Sequence, residues 1–477
     1  MYLEKIKTVY PTVLLVICLL AGSLVITHLI VTQGMLVAPI AVVGVGGILG
    51  LGLMLKEYKL GIYFIFVLSV FMAYINRMAG TNIPFGIVVD AVSGMVFIIM
   101  LFSGREKVNW SHLRSWITYL FTVIVVYQLL QVFNPHATSF TGWLVAFRAN
   151  TAFLLFFAFY HLFQSFDELK RFTHLWLILG LLVGLYGIWQ EVFGLNARES
   201  YWIYSNPSRL SLYLIWGHMR KFSFLSDPSA YGLFMAFTGL SCFVMMLGPF
   251  SALKRIVFGF AMFVMLIAMT YSGTRTATAM VVVGLAFYAV ITLKSRKTLL
   301  LLVLGGAGLM VLLFGPFYGG TINRLRSTFQ AKDDASMNVR DVKRIGLQSY
   351  VQTHPFGGGL NTTGQNGLKY SPGHTLAQGW DPDSGYLLTA LELGWVGLTI
   401  GLAFFFVVVL KGINNHFSIR DPIIRTYNLA LVVPFFALSV AHFTQDAMFQ
   451  KPAYIVIIAT YAAVMLLPTY DKSLKQS

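Results

Sequence analysis

The chain has 477 residues, of which 57% are hydrophobic and only 11% charged. Soluble domains carry about 25% charged residues, so a soluble enzyme is excluded and an integral membrane protein is indicated. The formal charge of +16 invites a nucleic-acid reading. Lys and Arg fall mostly in short connections between apolar runs, where a membrane protein needs them, so no nucleic acid is expected as a partner.

Taken in chain order, hydropathy predicts about fourteen helical spans of roughly 20 residues. Their limits are 11–32, 35–55, 59–76, 84–102, 115–133, 144–163, 172–193, 228–248, 254–271, 275–293, 298–315, 383–410, 424–443 and 450–468. The first run is too long for a cleavable signal peptide and lacks a small-residue cleavage site. Cys18 and Cys242 both lie in apolar runs and read as packed thiols. With Lys5 and Lys7 cytoplasmic, every even-numbered connection is basic. Lys56 and Lys59 come first, then Arg105, Lys107 and Arg114, then Lys170 and Arg171. Lys254 and Arg255 follow, then Lys294, Arg296 and Lys297, then Lys411, Arg420 and Arg425, with Lys472 and Lys475 at the end. One alternation satisfies the positive-inside rule and puts both termini in the cytoplasm. The odd connections then face outward, and two are long: 194–227 and 316–382. Connections beyond about 12–15 residues are usually functional. The expected architecture is an all-α polytopic membrane protein, a single membrane domain over 1–477, with a helical cap built from 316–382. Val339 to Val351 has amphipathic helical spacing.

The outward loops carry arginines that the orientation rule does not explain. Arg198, Arg209, Arg220 and Lys221 lie in the first; Arg324, Arg326, Lys332, Arg340, Lys343 and Arg344 lie in the second. Arg148 and Arg275 stand at the outer ends of spans, where an ionisable group is costly and functional by default. A diphosphate would suit them, since guanidinium forks match phosphate oxygens bidentately. Lipid headgroups or pairing with Asp333, Asp334 and Asp341 are the plainer explanation. Further candidates are His374, His354, Glu191, Glu392 and the group His442, Gln445 and Asp446. His354 precedes a Pro-Phe-Gly-Gly-Gly turn, whose glycines permit close approach to a ligand or to another backbone. Glu392 reads as a helix-packing carboxylate. Tyr201, Trp202, Tyr204, Tyr213 and Trp216 are expected to form an interfacial belt rather than to stack on sugars.

Four segments carry a family resemblance. Arg220-Lys221-Phe222-Ser223-Phe224-Leu225-Ser226-Asp227-Pro228 leads into a span, and Ser272-Gly273-Thr274-Arg275 begins one. Arg340 precedes His354-Pro355-Phe356-Gly357-Gly358-Gly359-Leu360 by fourteen residues. Asp383-Ser384-Gly385-Tyr386-Leu387 is followed by Gly394-Trp395-Val396-Gly397. In this order, over about 215–400, they resemble the O-antigen ligase and Wzy-type polymerase superfamily. There the first residue of the last motif is usually His in the ligases; here it is Asp383. The resemblance implies a GT-C-like, metal-independent, inverting glycosyltransferase without a cofactor, acting at the outer face of the bacterial inner membrane. The implied donor is an undecaprenyl-diphosphate-linked oligosaccharide. A glycan acceptor, membrane lipids, a chain-length regulator and a flippase are the implied partners. Carried onto this chain, Asp383, Arg220, Arg275 and Arg340 are the expected catalytic residues. Arg148, Arg344, Lys221, His374, Ser384 and Tyr386 are the expected substrate-binding ones. This departure from the ligases' His favours a polymerase over a ligase; a carboxylate can accept the acceptor proton as an imidazole does, and His374 could stand in for the missing imidazole. Asp381-Pro382-Asp383 also spells the Asp-x-Asp of metal-dependent transferases, here read as coincidence. A lipid-linked oligosaccharide transporter would need similar cations but usually shows two comparable halves, absent here.

Overall fold

The computed structural model describes residues 50–102 except 51 and 82, 110–295 except 216, and 346–471 except 380 and 381. The chain falls into two compact units, Met1–Gly61 and Ile62–Ser477. In the first, 52–56 are helical and Lys59 opens the first long helix. The described residues of the second form helices joined by turns and loops, with one short ribbon pairing β1 (Leu214–Ile215) with β2 (His218–Met219).

Ten helices among the described residues are long and apolar enough to cross a membrane. The protein is an all-α polytopic membrane protein. The helices are α1 (Lys59–Ala79), α2 (Phe85–Phe102), α3 (Trp116–Leu130), α4 (Phe140–Phe147) and α5 (Thr151–Leu162), the last two joined by a 3₁₀ turn into one span. Then come α6 (Phe166–Phe193), the short α7 (Ala197–Tyr204) and α8 (Pro207–Tyr213), α9 (Pro228–Leu247), α10 (Ala252–Tyr271) and α11 (Arg275–Ile291). The short α12 (Gly364–Tyr370) precedes α13 (Gly385–Ser418), α14 (Pro422–Ala441) and α15 (Ala453–Leu466). Every expected span from 59 to 293 and from 383 to 468 falls on one of these. The expected spans 11–32 and 298–315, and most of 35–55, lie outside the described residues.

Two limits differ from expectation. α6 begins at Phe166, so Lys170 and Arg171 belong to its first turns and not to a connection. Asp167 and Glu168 in that first turn suit the helix dipole and pair with them at 2.9 Å each. α13 runs on to Ser418 and takes Lys411 into the helix.

α9 is the centre. Residues along nearly its whole length are buried, and α6, α10, α11 and α14 pack around it. Gly180, Gly184 and Gly187 let α6 approach closely. A Cβ on Gly180 would meet Thr238 Cγ2 at 2.6 Å, and one on Gly187 would meet the Tyr231 hydroxyl at 1.8 Å. Such small-residue stripes let packing stand in for the weak hydrophobic drive inside lipid. At the far end of α13, the Asn415 amide donates to Val464 O at 2.7 Å and that of Asn428 to Gly412 O at 2.8 Å, locking α13, α14 and α15 together.

Hydrogen bonds between connections respect the predicted parity. Arg77 reaches Ser223, Asn134 reaches Gly357, Arg220 reaches Ser272, and Thr276 reaches Thr444, all at the end that carries the long loops. Tyr63 reaches Glu168, and Asp471 accepts from Arg420, at the opposite, basic end.

Candidate functional site

The last motif is built on a broken helix. Inside α13, Gly394 has φ 72° and ψ 178°, a conformation open to glycine and strained for other residues. The break strands the carbonyls of Leu391, Glu392 and Leu393. In a membrane such groups must be re-satisfied by protein. The Pro-Phe-Gly-Gly-Gly turn does this. Gly358 N–H donates to Leu391 O at 2.8 Å and Gly359 N–H to Glu392 O at 2.9 Å, while Val396 N–H donates to Pro355 O at 3.3 Å. The Tyr127 hydroxyl takes Leu393 O at 2.7 Å. Two motifs separated in sequence are therefore one structural unit. A Cβ on Gly357 would lie 2.4 Å from Gly394 N, and one on Gly394 would lie 1.9 Å from Pro355 O. Asn134, through its amide, and Gln131 hold the turn from α3's end by donating to Phe356 O, and Asn134 also to Gly357 O.

The first motif is held just as tightly. Arg220 is buried; its Nε donates to Ser272 O at 2.8 Å and its Nη2 to Thr274 Oγ1 at 3.0 Å. That ties it to the residue preceding Arg275, which opens α11 and is half-buried. Lys221 is buried beside Glu191, 3.4 Å away. Ser223 sits at φ 52°, a left-handed conformation for a non-glycine residue. Gln190 accepts its N–H at 2.8 Å, its hydroxyl donates to Val183 O, and Arg77 donates to its carbonyl at 2.6 Å. Arg77 is 4% exposed and lies over the Phe222 ring at 4.7 Å. Sequence reasoning passed over it, because it lies in a short outward connection and not in either of the two long loops. Asp227 is the N-cap of α9, accepting from Ser229 and Ala230.

The Arg220 segment reaches the head of α13 through the connection after α14. Thr276 and Thr444 hydroxyls lie 3.2 Å apart, and Gly385 N–H donates to His442 O at 3.0 Å. The buried His442 ring packs so closely that a Cβ on Gly385 would lie 1.9 Å from its Cε1. His442 Nδ1 accepts from the N–H groups of Ala447 and Met448, and burial pushes the ring's pKa down to about 4. It is thus neutral at pH 7, and its 3.6 Å approach to Asp446 is no ion pair. Burial pushes the Asp446 carboxyl up to about 6; its Oδ1 is enclosed without a hydrogen-bond partner.

At the head of α13, Ser384 is the N-cap, its Oγ accepting from Leu387 N–H at 3.3 Å. Asp383 is exposed on the bend just before it. The capping role that would make Asp383 merely structural is therefore filled by its neighbour. The Tyr386 hydroxyl donates to Ser439 O at 2.7 Å and its ring meets His442 edge-on.

The remaining candidates divide. His374 Nδ1 accepts from Leu376 N–H at 3.1 Å, so in the neutral ring the proton sits on Nε2 and the free lone pair is gone. Burial, and then His136 and His354, hold its pKa below the usual histidine value. His354 stacks on Tyr350 at 3.9 Å with His136 edge-on. Arg148 pairs with Asp90, Nε to Oδ2 at 2.8 Å, an acid that sequence reasoning missed. Arg198 and Arg209 are spent on carbonyls, of Met78 and Trp202. The expected aromatic belt is corrected in part: Tyr213 is buried with Ile203 and Phe222, with Trp202 packed against them, as the small core under α7 and α8. Tyr201 and Tyr204 are exposed, as a belt requires. Arg340, Arg344 and Asp381 lie outside the described residues.

Residues 260–402 match the family model described as O-antigen ligase. The match takes in Ser272–Arg275, the Pro-Phe-Gly-Gly-Gly turn and the whole Asp383–Gly397 motif. It supports a membrane transferase of the ligase and polymerase type. No curated protein matches the chain.

Proposed function

We propose that this protein is a bacterial surface-polysaccharide polymerase, an inverting glycosyltransferase of the inner membrane working at the loop end. The acceptor sugar hydroxyl attacks the anomeric carbon of a lipid-diphosphate-linked glycan from the face opposite the diphosphate. The bond from that carbon to the diphosphate oxygen breaks, the lipid diphosphate departs with the electron pair, and Asp383 takes the hydroxyl proton. Arg220, Arg275 and Arg340 stabilise the charge on the leaving group. Lys221, Arg148 and Arg344 hold the outer parts of the substrate, and His374 offers its Nε2–H to a sugar oxygen. Ser384 and Tyr386 act by positioning the head of α13. Because cations neutralise the leaving group, no step calls on a metal.

The observation that carries this reading is the division of labour at the head of α13. Ser384 caps the helix, so the neighbouring carboxylate, exposed on the bend, is not the cap and can meet an acceptor from outside. His374, the competing base, has its lone pair committed to the backbone. The description of the matching family favours a second reading, a ligase with a different acceptor: lipid A core, protein or wall polymer. Incubating the purified protein with lipid-linked repeat units alone separates the two. Longer lipid-linked chains are expected. A strict requirement for a second acceptor would overturn the polymerase and favour the ligase.

A further inference from the structure

Two cavities flank the first turns of α14 at the basic end. The larger, about 810 Å³, sets Asp421 and Asp471 among its cations Lys170, Lys254 and Arg420. The other, about 770 Å³, lies where the ends of α9, α11 and α13 meet α14. It is lined by Lys294, Arg425 and His416, and none of its described lining residues is acidic. Val244, Leu247 and Leu429 give it an apolar wall. The His416 ring, its Nδ1 shut off from solvent, lies within electrostatic reach of Arg425.

We propose that this second cleft binds the headgroup of an anionic phospholipid, its phosphate between Lys294 and Arg425 and an acyl chain along Val244, Leu247 and Leu429. Cations in a concavity with low-dielectric walls focus their field on an anion, and basic pockets between spans hold phosphate headgroups for this reason. Orientation alone accounts for which end Lys294 and Arg425 occupy. It does not account for the concavity, the apolar wall or the lack of carboxylates among the described lining residues. The apolar wall selects a lipid over free phosphate.

The full-length protein in phosphatidylcholine nanodiscs containing phosphatidylglycerol tests this, with retained phosphatidylglycerol counted by native mass spectrometry. Wild type should keep phosphatidylglycerol in preference to phosphatidylcholine. Lys294→Gln with Arg425→Gln should lower retention at least about tenfold. Leu247→Trp, which fills the cleft and spares both cations, should also lower it, and carries the test if the double variant does not fold. Lys254→Gln with Arg420→Gln, the same loss of charge at the other cavity, should leave retention unchanged. Equal losses in both charge pairs would mean diffuse surface attraction and would overturn the site. So would wild-type retention in Leu247→Trp, or full displacement of the lipid by millimolar inorganic phosphate.

Discussion

Asp383 and Ser384 are neighbours with separable jobs, and single substitutions tell them apart. Asp383→Asn should slow polymer formation by about 10²–10⁴-fold, the usual contribution of a general base, with the melting temperature unchanged. Ser384→Ala should do the reverse, lowering stability by about 1 kcal/mol through the lost cap. Near-normal polymer yield in Asp383→Asn would remove the carboxylate from the mechanism. Asp446 makes a prediction of a different kind. Its carboxyl rises from 3.8 to about 6 on folding, so the neutral form is the one the fold prefers. The associated stability is complete below 3.8, declines as pH rises and is lost above about 6. The side chain is 40% exposed, so solvent screening reduces the effect to about 1 kcal/mol. Asp446→Asn should remove this component. Melting curves at about pH 4.5 and pH 7 should show wild type losing more stability than the variant, and parallel losses would refute the assignment.

The break in α13 is the element on which the site depends. Its three stranded carbonyls are taken by a turn more than thirty residues upstream and by Tyr127, so neither the helix nor the turn is stable as drawn without the other. Gly394→Ala must place a methyl group against Pro355 O in a backbone conformation that costs an L residue about 1–3 kcal/mol before any clash. The variant should lose activity and melt substantially lower. Tyr127→Phe is the milder probe. It leaves Leu393 O unpaired and should cost about 1–3 kcal/mol by thermal melting, and wild-type stability would mean that water reaches that carbonyl.

Across the whole molecule, the hydrogen bonds between connections sort them into the same two ends as the alternation of basic ones does. Cysteine labelling checks it. With Cys18 and Cys242 replaced by Ala, Ser205→Cys should react with a membrane-impermeant maleimide from the periplasmic side. Lys254→Cys should react only after the membrane is opened. Both positions are exposed. The opposite pattern would invert the protein and move the proposed site to the cytoplasm.

The spans between 59 and 293 and between 383 and 468 were legible in the sequence because hydropathy sums over about twenty residues and needs no knowledge of partners. The alternation of basic connections, from which sidedness is inferred, was legible for the same reason: counting charges between spans is a local operation. The motifs were visible as spellings, but their meaning was not. Gly394 and Gly357 are explained only by each other's backbone, and Arg77 only by Ser223, at distances that chain order does not encode. Arg148 looked ownerless until Asp90 appeared across the bundle. Which of Asp383 and Ser384 caps α13 turned on one hydrogen bond to Leu387, and the lone pair of His374 on another to Leu376. Burial of apolar surface is a property of composition, and the sequence states it. A hydrogen bond is a property of two atoms within about 3 Å, and only the tertiary structure decides which two.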